Sequence, residues 1–103
     1  MTIKEINEIA CLIIANAGDS KSDSMEAIDN AENGDFKAAE ECLKLADEAI
    51  VKAHEIHTKL LVQEANDPGC ITATMMLIHA SNHLTSAEMS REFAERIIHI
   101  YKK

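Results

Sequence analysis

The sequence has few residues that interrupt helices and few that fill a β-sheet core. Its 103 residues include one proline and three glycines, only 3% are aromatic, and tryptophan is absent. Proline and glycine are the poorest helix formers, and a typical β-sandwich core needs more aromatic bulk than this. These shortages, together with abundant alanine, predict an all-α fold. The length fits one domain, so we treat residues 1–103 as a single domain.

Paired cysteines and clustered basic residues are also missing. Cys11, Cys42 and Cys70 are odd in number, widely spaced and without a C-x-x-C pair, which argues against a disulfide framework or a thiolate zinc site and favours the cytoplasm. Glu5 and Glu8 lie where a signal peptide would carry only positive charge. The formal net charge of −8, without a cluster of Lys and Arg, argues against a nucleic-acid partner.

One stretch of the second half carries no formal charge. No Asp, Glu, Lys or Arg occurs from Pro68 to Ala87, although 27% of the whole chain is charged. The stretch is too rich in Thr, Ser, Asn and His to span a membrane. We therefore expect this uncharged stretch to be either buried or a docking surface.

Apolar and small residues recur every three or four positions in three long segments, which is the spacing of one helix face. The first predicted helix covers residues 3–33 and ends before Gly34, a residue typical of C-terminal caps. Its stripe stays in phase through Gly18, and the alternative is a kink or break at this glycine. The stripe consists of Ile3, Ile6, Ala10, Ile13, Ala17, Ser20, Ser24, Ala27 and Ala31. The second covers residues 35–66 and is capped by Asp35. Turn chemistry around the single proline ends it.

The third predicted helix covers residues 71–101. One of its faces carries Met76, His79, His83, Ser86, Ser90, Phe93, Ile97 and Ile100. Helices of thirty residues are about 45 Å long, and three of them form a slender bundle with little core for its surface. Leu12, Met75 and Ile78 are apolar residues outside the main stripes. They predict a second buried face, and therefore a symmetric homo-oligomer.

His79 and His83 are the strongest candidates for chemistry. They are four residues apart, so they lie on the same side of the third helix. A neutral imidazole can attack phosphorus, and the phosphorylated ring then carries about two negative charges that need hydrogen-bond donors rather than carboxylates. The uncharged stretch supplies no carboxylate, and Ser81, Asn82 and Thr85 are possible donors close by.

The same spacing has other interpretations. A histidine pair four residues apart also begins a zinc site, but no Glu follows His79 as in H-E-x-x-H and no third ligand is near in sequence. Two ordinary interface histidines are commoner than a reactive pair, and periodicity does not decide between them. We interpret His54 and His57 on the second helix as hydrogen-bonded structural residues. Met75 and Met76 suit a core or a docking surface.

Three ordered stretches of the sequence together resemble a known family. They are I-I-A-N-A-G-D-S-K-S-D-S-M-E-A-I with A-E-N-G-D-F-K-A-A-E, then A-H-E-I-H-T-K-L-L, and finally I-H-A-S-N-H-L-T. The first is similar to an alanine-glycine-aspartate segment and its following turn, the second to A-H-x-x-Q-T, and the third to H-A-Q-D-H-L-M. All three belong to the IIA component of the lactose/cellobiose-type sugar phosphotransferase system.

This resemblance implies a phosphoryl carrier. The histidine at the position of His79 takes phosphate from HPr and passes it to a cysteine of the IIB component, with His83 orienting the ring or donating to the phosphoryl oxygens. The resemblance also implies three antiparallel helices that assemble into a nine-helix homotrimer, and an indirect association with the membrane permease IIC. The candidate binding residues are Met75, Met76, Ser81 and Asn82.

The sequence departs from the family at three positions. Asn82 stands where the family has an Asp associated with a metal ion at the trimer axis, while Ser81 and His57 stand where it has Gln. Converging carboxylates repel one another until a cation neutralises them, whereas neutral amides do not. We therefore expect magnesium or another divalent ion to bind weakly or not at all at Asn82, and we expect no other cofactor. We expect His57 to fill the space left by the shorter Ser81.

Two further classes of protein remain as alternatives. A helical protein-interaction module is suggested by G-D-F-K-A-A-E-E-C-L, but no second copy recurs at the repeat period of about 34 residues. A histidine phosphotransfer domain would need H-x-x-K-G, and residues 79–83 do not supply it. The transported sugar cannot be read from a component that contacts only proteins.

Overall fold

Three long helices and no strands make up the chain. The computed structural model describes all residues, Met1–Lys103. Its helices are α1 (Ile3–Glu32), α2 (Phe36–Asn66) and α3 (Met75–Lys102). The all-α prediction is confirmed, and α1 is continuous through Gly18. None of the helices contains a segment sufficiently long and apolar to cross a membrane.

Side-chain caps set the beginnings of the first two helices. Thr2 and Glu5 form a capping box at the start of α1, each accepting the other's backbone N–H. The Asp35 side chain accepts the N–H of Ala38, as predicted for the cap of α2. Gly34, between these helices, has a φ of +78°, a left-handed conformation that costs glycine little.

The predicted start of α3 at Ile71 is wrong, because the helix begins at Met75. The Glu64 carboxylate accepts the N–H groups of Gly69 and Ile71, which holds the connection outside the helix. Thr74 then caps α3, with its hydroxyl accepting the Leu77 N–H at 3.1 Å. These contacts join residues five to seven positions apart or belong to a single cap, so periodicity alone does not reveal them.

The helices run up, down and up in a rod with extents of 50 × 21 × 17 Å. The Thr74 hydroxyl donates to Asn7 on α1, and Lys21 donates to Ser86 farther along both helices, so α1 and α3 are parallel. Helix α1 packs along both others, while α2 and α3 contact each other less. The buried residues of α1 are those of the predicted stripe except Ile3: Ile6, Ala10, Ile13, Ala17, Ser20, Ser24, Ala27 and Ala31.

Polar pairs join α2 to α3. Helix α3 contributes Arg91 to this seam, and the hydrogen bonds that Arg91 donates to Asp47 and Glu95 raise the pKa of its guanidinium. The pKa of Glu40 is lowered because Lys102 donates to its carboxylate. The ion pairs across the seam are Asp47–Arg91 and Glu40–Lys102, and His54 contacts Glu88 in a third polar pair.

The buried face of α3 is not the predicted one. Its buried residues are Ala80, Leu84, Ala87, Ala94 and Ile98, one position round from the predicted stripe. Small alanines let α3 approach α1 closely, so the larger residues point outward. The outer face of α3, on the side away from the core, consists of Met75, Ile78, Asn82, Met89, Phe93 and Ile100.

Candidate active site

His79 and His83 form a hydrogen-bonded pair near the start of α3. His79 is exposed and His83 is half-buried. Their Nε2 atoms are 3.0 Å apart, and the rings meet edge to face with centroids 4.4 Å apart and planes at 83°. The predicted proximity of the two histidines is confirmed.

The hydrogen bond constrains the protonation of the pair. One ring must contribute an N–H and the other a lone pair, because two N–H groups at 3.0 Å would oppose each other. In either arrangement one Nε2 is unprotonated. An unprotonated ring nitrogen on an exposed histidine is the form that can attack an electrophile such as phosphorus.

The other predicted site residues do not gather around this pair. Ser81 faces α2, where its hydroxyl donates to the Leu77 carbonyl and lies 3.2 Å from Nε2 of His57. The expected contact between His57 and Ser81 is therefore present. Met75 is 87% exposed and Asn82 is also exposed on the outer face of α3.

An open apolar cavity of about 250 Å³ lies on the α2 side of α3. The Ser81 hydroxyl and the His57 ring are at its polar edge. The cavity is separated from the histidine pair by α3 itself, because Ser81 and His79 point to different sides of the helix. Its other lining residues are Leu60, Leu61, Glu64, Ile71, Ala73, Leu77 and Ile78.

One residue near the histidine pair was missed by the sequence analysis. Lys21 on α1 donates from Nζ to Oγ of Ser86 at 3.4 Å, one turn beyond His83 on α3. The contact joins positions 65 residues apart, so spacing within a helix gives no sign of it. Only the parallel arrangement of α1 and α3 brings the two residues together.

Within a single chain, the side chains form no cluster of metal ligands. No three His, Cys, Asp or Glu side chains in the chain come together as ligands. Asn82, the residue expected at a trimer axis, offers an uncharged amide in place of a carboxylate. Burial raises the pKa of the Cys42 thiol, so that sulfur stays protonated rather than becoming a thiolate ligand.

The fold and the site define a class of protein: a small three-helix bundle with a hydrogen-bonded histidine pair on its third helix. The chain belongs to the lactose/cellobiose-specific IIA subunits of the sugar phosphotransferase system, because residues 8–102 match the model of that family, described as "PTS system, Lactose/Cellobiose specific IIA subunit". The resemblance identified from the three sequence stretches is thus confirmed.

Individual relatives agree with this assignment. The lactose-specific EIIA component of Staphylococcus epidermidis is 33% identical over 103 residues, which cover 100% of this chain and 98% of the relative. The crystal structure of the cellobiose-specific enzyme IIA from Bacillus anthracis has a TM-score of 0.89 at 34% identity, covering 99% of this chain and 91% of that one. The chitobiose IIA protein of Escherichia coli, solved in complex with HPr, has a TM-score of 0.82 at 29% identity, covering 94% and 93%.

The chain is therefore a IIA component of a sugar phosphotransferase system, and its activity is phosphotransfer in sugar transport. These relatives match along nearly their whole length.

Proposed function

We propose that His79 is the residue that carries the phosphoryl group. The observation that supports this most directly is its exposed ring, whose Nε2 is hydrogen-bonded to Nε2 of His83. If His83 donates, Nε2 of His79 is held in its unprotonated form, and the hydrogen bond opens to free the lone pair for attack. His79 is then the nucleophile, and His83 is the residue that orients it.

The donor in this proposal is phosphorylated HPr, since a relative of the same fold forms a complex with HPr. Nε2 of His79 attacks phosphorus, a new P–N bond forms, and the P–N bond in HPr breaks with its electron pair returning to the HPr imidazole. The His79 ring loses one proton to solvent and the HPr ring takes one up, so charge is balanced. Positioning and electrostatics supply most of the catalysis in such transfers.

The acceptor is a cysteine thiolate of the IIB component. The thiolate attacks the phosphoryl group on His79, an S–P bond forms, and the His79 nitrogen regains its lone pair and then a proton. Association with the membrane permease IIC is indirect, through IIB, and we place these exchanges in the cytoplasm. Three unpaired cysteines suit the reducing conditions there.

We also propose that three copies assemble around the outer face of α3. Its apolar residues repeat at spacings of three, four and seven, as in helices that pack around a common axis. Met75, Ile78 and Met89 are largely exposed in the single chain, which a trimer would bury. Asn82 lies within this face, where three neutral amides can hydrogen-bond to one another without a metal ion.

The assignment of His79 as the phosphoryl carrier is tested by incubating the protein with phosphoenolpyruvate, enzyme I and HPr, and then measuring the intact mass of the protein. We expect one acid-labile phosphoryl group, lost completely in His79→Gln and retained in His99→Gln, a matched change at an exposed histidine near the far end of α3. His83→Gln should still be phosphorylated, but roughly tenfold more slowly because the ring is less well oriented. Phosphorylation of His79→Gln would contradict the assignment.

A further inference from the structure

A lysine of α1 reaches the face of α3 that carries the histidines. Nζ of Lys21 donates to Oγ of Ser86, which lies three residues beyond His83 on the same side of α3. The Lys21 side chain is exposed and takes part in none of the ion pairs of the chain. It is therefore a free positive charge about one helical turn from His83.

No other cationic side chain hydrogen-bonds to this part of the molecule. Of the ten Lys and Arg residues, only Lys21 hydrogen-bonds to a residue of the uncharged stretch from Pro68 to Ala87. Arg91, Arg96 and Lys102 pair with carboxylates. The uncharged stretch provides neutral donors, and α1 provides the positive charge.

Gly18 leaves α1 without a side chain at about the level of the histidine pair. Gly18 precedes Lys21 by three residues and His83 precedes Ser86 by three, so Gly18 and His83 lie at similar heights along the parallel helices. A Cβ atom built on Gly18 has no neighbouring atom within 4 Å. The Lys21 side chain can therefore swing from Ser86 toward the histidines with no side chain of residue 18 in its path.

A phosphoryl group on His79 would lie within reach of that swing. His79 and Ser86 are two helical turns apart on the same side of α3, about 10 Å along the axis, and the phosphorylated ring and the Lys21 side chain can both extend into that interval. The group carries about two negative charges in a protein with a net charge of −8. An ammonium donor gives a charge-assisted hydrogen bond, which is stronger than a bond from a neutral hydroxyl.

We propose that Lys21 is a binding residue for the phosphoryl group, an inference that rests on the proposed function of His79. In the unphosphorylated protein its ammonium rests on Ser86. After transfer it moves to an oxygen of the phosphoryl group on His79 and stabilises the phosphorylated form. Lys21 forms and breaks no covalent bond; it holds the product of the transfer by charge.

The test measures the equilibrium of phosphoryl exchange between HPr and Lys21→Met. At fixed amounts of HPr and phosphorylated HPr, we expect the ratio of phosphorylated to free protein to fall about fivefold, because an exposed charge-assisted contact is lost. Lys21→Arg should restore most of the ratio. Lys37→Met is the control: Lys37 is exposed, forms no ion pair and lies near the opposite end of the bundle, so this variant should leave the ratio unchanged.

Two further measurements separate binding from a structural role. Added salt should shrink the difference between wild type and Lys21→Met, since salt screens exposed charges. The thermal midpoint of Lys21→Met should match that of the wild type. An exchange equilibrium that is unchanged in Lys21→Met would overturn the role of Lys21. A reduced ratio that Lys21→Arg does not restore, accompanied by a lowered thermal midpoint, would overturn it as well.

The outcomes also distinguish this inference from the proposed function. If the wild type is phosphorylated on His79 and Lys21→Met exchanges equally well, only the role of Lys21 fails. If the wild type accepts no phosphoryl group, or accepts it elsewhere, both fail.

Discussion

Two buried serines on α1 differ in how their hydroxyl groups are satisfied. Ser20 and Ser24 are both fully buried, one turn apart. The Ser20 hydroxyl donates to the carbonyl of Ala46 on α2 at 2.8 Å. The Ser24 hydroxyl has no hydrogen-bond partner. A buried polar group without a partner costs free energy, whereas a satisfied one contributes a modest net stabilisation.

The two serines give a matched pair of stability predictions. We expect Ser24→Ala to raise the free energy of unfolding by about 1 kcal/mol, because it removes an unsatisfied hydroxyl and improves helix propensity. Ser20→Ala should lower it by about 1 kcal/mol, because the hydrogen bond to α2 is lost. Urea denaturation monitored by circular dichroism measures both, and equal effects of the same sign would contradict the distinction.

At the residue scale, the sequence is informative wherever partners share one helix. The pairing of His79 with His83 is predictable because positions four apart adjoin in any helix. The contact between His57 and Ser81 was anticipated only through the family pattern, since they come from different helices. Lys21 was missed because its contact with α3 depends on how the helices are arranged.

At the scale of single helices, packing does not require a glycine at position 18 of α1. Gly18 is helical, and a Cβ atom there would meet open space. Glycine is less favourable than alanine within a helix by about 1 kcal/mol. The helix tolerates it because α1 is held by packing along both neighbouring helices.

Alanine at position 18 should therefore stabilise the protein. We expect Gly18→Ala to raise the thermal midpoint by roughly 4–8 °C, as a gain of about 1 kcal/mol does in a domain of this size. The reverse change at an exposed helical position, Ala15→Gly, should lower the midpoint by a similar amount. Differential scanning calorimetry measures both, and a lower midpoint for Gly18→Ala would show that the open space is needed for folding.

Helix faces and helix ends are predictable from the sequence to different extents, because packing sets the buried faces and side-chain contacts set the ends. The buried stripe of α1 follows from period alone because α1 packs on both neighbours, and its buried residues match the predicted ones apart from Ile3. The predicted buried face of α3 is displaced by one position from the observed one. The reason is that α3 carries about as many apolar residues on its outer face as on its buried face. Its start was misplaced because Glu64 and Thr74 fix it through side-chain contacts.

At the scale of the whole molecule, the exposed outer face of α3 leads to a prediction about assembly. We expect light scattering at micromolar concentration to give the mass of three chains, and we expect the metal chelator EDTA to leave that mass unchanged. Neutral Asn82 side chains at the axis would not repel one another, so no cation is needed to hold the trimer. A monomeric mass would contradict the assembly, and dissociation by EDTA would contradict a metal-free axis.

Asn82→Asp provides the matched variant. Three carboxylates would then converge at the axis and repel one another, so the trimer should weaken in EDTA and recover when magnesium is added. A variant trimer that is indifferent to both treatments would show that position 82 lies away from the axis.

The polar seam between α2 and α3 has a consequence for the motions of the bundle. Local opening starts where little apolar surface is buried, and this seam is joined largely by charged pairs. Because Lys102 lowers the pKa of Glu40, their contact is present above the ordinary pKa of a glutamate and is lost as the pH falls through the lowered value. Amide hydrogen exchange should therefore be fastest along the facing sides of α2 and α3, and α1 should exchange last.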